Sequence, residues 1–121
     1  MSDYRKYKEI YKKLIKSKFR AKFQLNKQNK EYINDKGIDK IQTHAFEFLN
    51  TRIKPDFIKN DGKQTYMKGH PVFIAQHATA TCCRECIEKW HDFPKNRELN
   101  DKEIEYLVGP IMFWINIQMM D

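Results

Sequence analysis

The chain has 121 residues, 40% of them hydrophobic and 13% aromatic, which is the size of one domain with a single modest core. Its charged residues are interleaved with apolar ones, which argues against wholesale disorder, and no stretch approaches the roughly 20 uncharged apolar residues of a membrane span. The only serines are Ser2 and Ser17 and the four glycines are scattered, which argues against serine hydrolases, P-loop NTPases and Rossmann enzymes.

The net charge of +7 resides at the start of the chain: residues 1–22 carry nine Lys or Arg against Asp3 and Glu9, and the remainder is neutral. There Tyr4, Tyr7, Tyr11, Leu14 and Ile15 recur at helical spacing among the cations. This predicts a basic amphipathic helix over residues 1–18, ahead of a single helical domain over 19–121. Lys6, Lys12, Lys13, Lys16 and Arg20 offer an electrostatic footprint for DNA or RNA, although a merely solvated face has the same composition. The Lys-rich start lacks the apolar segment of a signal peptide, so a soluble, cytoplasmic protein is expected.

After a short basic and aromatic run over 19–25, residues 26–35 read as a short helix ended by Gly37. Ile41, Ala45, Phe48, Leu49 and Ile53 then mark a helix running up to Pro55. Residues 59–65 hold no apolar side chain and form a polar loop around Asp61-Gly62. Residues 71–78 read as a buried strand or a helix, and Pro71 at the first helical position favours helix. Thr81 is the expected N-cap of a helix from Cys82 to about His91, stopped by Pro94. Asn100 and Glu103 form a capping-box pair at the head of a last helix through Ile115. Pro110 should kink that helix, and its apolar later turns imply deep burial or a homodimer surface. The expected fold is therefore mainly α: one compact helical domain with a polar central loop and room for one short strand pair.

All three cysteines and three of the four histidines lie between His70 and His91. Thiolates and imidazoles at such spacing suit tetrahedral zinc, or iron. The expected ligands are His77, Cys83, Cys86 and His91, with His70 and Cys82 as alternatives for one position. On an unbroken helix His91 points about 80 to 140 degrees away from the two cysteines, so the helix should end before it. A second reading is nucleophilic: Cys82 or Cys83, in the first turn after Thr81, attacks with His77 or His70 as base and Asp61 or Gln64 as orienter or oxyanion donor. A third is a binding surface in which Arg84, Lys89, Lys95 and Arg97, near Trp90 and His91, add stacking and charge to the basic helix. Core packing of the cysteines, or an inhibitor or interaction module without metal, completes the set.

Residues 61–65 (Asp-Gly-Lys-Gln-Thr), the run from Gly69 to Arg84, Cys86, and Lys89-Trp90-His91 together resemble a family of short bacterial proteins known as domain of unknown function 4186. The resemblance extends from about Phe19 to Trp114. It departs at Tyr66, where proline is expected, and at Asp92-Phe93-Pro94, where Gly-Ile-Pro is expected. It implies that the basic N-terminal helix is an addition to the family pattern, and it brings no activity, cofactor or catalytic residue of its own.

Overall fold

The computed structural model describes residues 2–55 and 65–120. Seven helices are found there: α1 (Ser2–Leu14), α2 (Lys18–Ala21), α3 (Lys27–Lys36), α4 (Ile38–Arg52), α5 (Pro71–Ala78), α6 (Arg84–His91) and α7 (Asp101–Met119). The fold is mainly α, and no strand occurs among the described residues, so the expected strand pair is absent there.

The stretch that periodicity left ambiguous, residues 71–78, is helical because its ends are. Pro71 occupies the first turn, and the His70 ring caps it by accepting the Val72 N–H through Nδ1 at 3.0 Å. Every residue of α5 is buried, which explains an apolar run with no polar face. Gly37, at φ 90°, ends α3 and begins α4, a backbone conformation that other residues adopt only with strain. The Asn100–Glu103 capping box forms as expected, and an Asn26–Asn29 pair caps α3 in the same way.

The apolar stripe of α7 (Ile104, Leu107, Ile111, Ile115) is fully buried and meets α1, α4 and α5. From α4, Ile41, Ala45, Leu49 and Ile53 complete the centre of the core. In the later turns of α7, Met112 and Trp114 are buried within the chain itself. The helix also continues through Pro110. α1 lies on α7 through its tyrosines: Tyr7 packs on Tyr106, and Tyr4 and Tyr11 on Phe113, with ring centroids 5.4 to 5.6 Å apart. Its cations are left outside. No helix of the described residues is long and apolar enough to cross a membrane.

Candidate metal centre

α5 ends in a tight reversal. Ala80 takes the left-handed conformation at φ 60° and the Thr81 N–H reaches back to the Gln76 carbonyl at 2.8 Å, which satisfies a carbonyl at the helix end. The buried Gln76 side chain donates to the Thr81 carbonyl at 3.1 Å, and Thr65 Oγ1 donates to the Cys82 carbonyl at 2.8 Å. These bonds fix the three residues that follow.

The N-cap of α6 is Cys83, two residues later than expected: its Sγ accepts the Cys86 N–H at 3.4 Å. Thr81 is instead held in the reversal, which is why the expected cap fails. The shift places Cys86, rather than Cys82 or Cys83, within the first helical turn, where the helix dipole favours a thiolate. The Sγ atoms of Cys82, Cys83 and Cys86 all lie within 4.8 Å of one another, a group placed to hold a metal ion. None of the three is in a disulfide.

Arg20 closes the cluster from α2. Its Nη1 donates to the His77 carbonyl at 2.7 Å and lies 3.7 Å from Cys82 Sγ, while Nη2 donates to Cys86 Sγ at 3.1 Å. The Cys86 thiol is held well below the ordinary range by hydrogen bonds from Cys82 and Cys83 and then by Arg20, against the opposing effect of burial. Cys82 moves the other way, because it donates to Cys83 and Cys86 and is itself buried. The hydrogen bond from Cys82 pulls Cys83 down, but donation to Cys86 and burial outweigh it and leave Cys83 raised. Cys86 is thus the cysteine of the cluster at which a thiolate is most favoured, with the Arg20 guanidinium beside it.

The expected ligands His77 and His91 stand outside the three-sulfur group, but their tautomers are fixed. His77 Nε2 faces the Thr65 and Tyr66 carbonyls at 3.1 and 3.2 Å, and His91 Nε2 faces the Thr79 carbonyl at 2.9 Å. A carbonyl only accepts, so Nε2 carries the proton on each ring and the lone pair sits on Nδ1. Burial lowers both pKa values and keeps the rings neutral. A ring N–H donated to a backbone carbonyl fixes the tautomer and leaves Nδ1 as the acceptor, as in metal-ligating histidines. The helix does not end before His91; α6 runs through it, and Asp92, left-handed at φ 63°, stops it one residue later. The alternative ligand His70 lies elsewhere, against His44.

Two cations expected to face nucleic acid turn inward. Arg20 serves the cysteines, and Arg84, 2% exposed, donates to the carbonyls of Ile53, Lys54, Pro55, Pro94 and Arg97 at 2.6 to 3.3 Å. Lys6, Lys12, Lys13, Lys16 and Lys89 are exposed. A signal for the inward pair exists in the sequence: Arg20 is the single arginine in a lysine run from Lys6 to Lys30, and arginine rather than lysine suits buried, multiply bonded sites. Asp61 and Gln64 lie outside the described residues.

The family described as "Domain of unknown function (DUF4186)" matches residues 8–116. The chain belongs to the DUF4186 family. The DUF4186 match begins at Lys8, inside α1, so most of the basic helix is part of the family pattern and not an addition to it. It also takes in α2, all three cysteines and both carbonyl-bonded histidines. No solved structure matches the chain.

Proposed function

We propose that this DUF4186 protein is a small cytoplasmic zinc-binding domain that contacts nucleic acid through α1. The observation that carries the metal reading is the approach of three sulfurs to within 4.8 Å of one another beside a buried arginine. Three thiolates around Zn²⁺ leave one negative charge, which the Arg20 guanidinium balances. The zinc is held by Cys82, Cys83 and Cys86, and Nδ1 of His77 or His91, unprotonated in these tautomers, supplies the fourth ligand of a tetrahedral site. The metal holds the turn after α5 against the head of α6 and so fixes the fold around it. Nucleic acid is the partner because the outer face of α1 is cationic and its tyrosine face is already occupied by α7.

The test is elemental analysis of untagged protein purified without chelator, with a thiol titration in parallel. One equivalent of zinc, released only on unfolding or chelation, is the expected result. Folded, metal-free protein with three titratable thiols overturns it. That outcome favours thiol chemistry, with Cys86 in place of the expected Cys82 or Cys83 as the nucleophile, which the Arg20–Cys86 hydrogen bond supports.

A further inference from the structure

α2 has four residues, too few to persist alone, yet it is anchored on both sides. Ser17 caps it by accepting the Arg20 N–H at 3.3 Å, and the Arg20 side chain reaches inward to the His77 carbonyl and the cysteine sulfurs. Phe23 follows the helix and stacks on the His77 ring, with centroids 5.6 Å apart and planes 18° apart. Phe19, by contrast, is 46% exposed. Its ring meets Phe23 edge-on at 5.3 Å, and the Lys22 ammonium lies 4.5 Å above it. Residues 10–30 contain no Asp or Glu, and Lys16, Lys18 and Lys22 around Phe19 are all exposed.

We infer that α2 is a stacking platform for single-stranded nucleic acid, on which an unpaired base lies against Phe19 while Lys16, Lys18 and Lys22 take the adjacent phosphates. The inference rests on the nucleic-acid reading above and deepens it by naming the strand state. A flat aromatic ring set among cations suits a base whose face is free, and every base offers such a face without sequence preference. In a duplex those faces are stacked on one another. Lys22 leaves the ring for a phosphate as the base replaces it, so a cation–π interaction is exchanged for stacking and an ion pair. The anchoring by Arg20 holds the platform rigid before the strand arrives, which lowers the ordering cost of binding.

The experiment is fluorescence anisotropy on the full chain with labelled oligo-dT, oligo-U and a duplex, each of about 12 nucleotides per strand, over a salt series. The expected result is tighter binding of both single strands than of the duplex. Phe19→Ala should weaken the single strands roughly 5- to 150-fold, leave the salt slope unchanged and leave the duplex unaffected. Phe19→Trp should restore the affinity. Equal single-strand binding by wild type and Phe19→Ala, with salt dependence intact, overturns the platform and leaves the nucleic-acid reading standing. Absence of salt-dependent binding to all three probes overturns both.

Discussion

His70 donates from Nε2 to Nδ1 of His44 across 3.0 Å, while its own Nδ1 accepts the Val72 N–H that begins α5. The direction follows because an amide N–H can only donate, so His70 Nδ1 holds the lone pair and Nε2 the proton. Burial first, and then His44, lower its pKa to about 4. Tyr32, Phe48 and Phe73 crowd the ring, with centroids 5.1 to 5.6 Å away. A depressed histidine favours the fold while neutral, so its contribution is complete above about pH 6.5 and is lost as pH falls towards 4. At pH 5 the loss should be about 1–2 kcal/mol. His70→Asn keeps a capping oxygen and removes the titration, so the stability gap between the two proteins in urea should narrow from pH 7.5 to 5. A gap independent of pH contradicts the assignment. His77 and His91 titrate in both proteins and cancel in the comparison.

Cys83 has two roles that one substitution separates. As N-cap it accepts a backbone N–H, and as part of the three-sulfur group it is offered to a metal. Serine is among the preferred capping residues, so Cys83→Ser should keep the helix and change metal-free stability by no more than about 1 kcal/mol. The same protein should lose its zinc, as should Cys82→Ser and Cys86→Ser. Circular dichroism with metal analysis decides it, and a full equivalent of zinc in Cys83→Ser removes Cys83 from the metal centre.

Arg20 touches the cluster without being a ligand, so its effect should be graded. Loss of a group hydrogen-bonded to metal ligands typically weakens metal binding 10- to 100-fold. Arg20→Met should fall in that range when measured by competition with a chromophoric chelator. Arg20→Lys restores the charge but not the two-pronged grip on the His77 carbonyl and Cys86, and should lie between Met and wild type. Unchanged affinity in Arg20→Met would show that the guanidinium serves α2 alone.

Arg84 stands one residue from Cys83 and has a different task. Its bonds to five carbonyls tie the end of α4 to residues 94–97. Arg84→Met removes the donor these carbonyls share, the Lys54 carbonyl keeping the Leu99 N–H, and should cost about 3–5 kcal/mol of stability. Lysine, with a single ammonium, should recover less than half. A loss below about 1 kcal/mol in denaturant unfolding would place Arg84 among ordinary surface charges.

Those two arginines mark where sequence reading stops. α3, α4 and α7 were legible because periodicity and local capping chemistry, at Gly37 and at Asn100 with Glu103, act over three or four residues. The cysteine cluster was legible as a concentration of metal-binding side chains. Its arrangement was not, because the α6 cap depends on the reversal at Ala80, and neither alanine in a left-handed turn nor cysteine as a cap is an expected choice. The inward turn of Arg20 spans 66 residues to Cys86, a separation at which no local pattern informs. In the same way, the packing of α7 inside the chain depends on α1, α4 and α5, which lie far from it in sequence.

The seat of α1 depends on Gly109. A Cβ at that position would overlap the Tyr7 ring, so one of the two must move. Inside a helix, Gly→Ala ordinarily adds about 1 kcal/mol of stability, so the sign of its effect here is informative. Gly109→Ala should displace Tyr7 from Tyr106, loosen α1 on α7 and expose residues 1–18 to protease while the rest of the chain stays folded. Tyr7→Ala in the same chain should make room for the methyl and restore the usual stabilisation by alanine, less whatever the packing of Tyr7 on Tyr106 supplies in wild type. Limited proteolysis of the single and double variants separates this from a general loss of fold. If Gly109→Ala leaves α1 as protected as in wild type, Tyr7 has another place to go and the basic helix is held by Tyr4, Tyr11 and Leu14 instead.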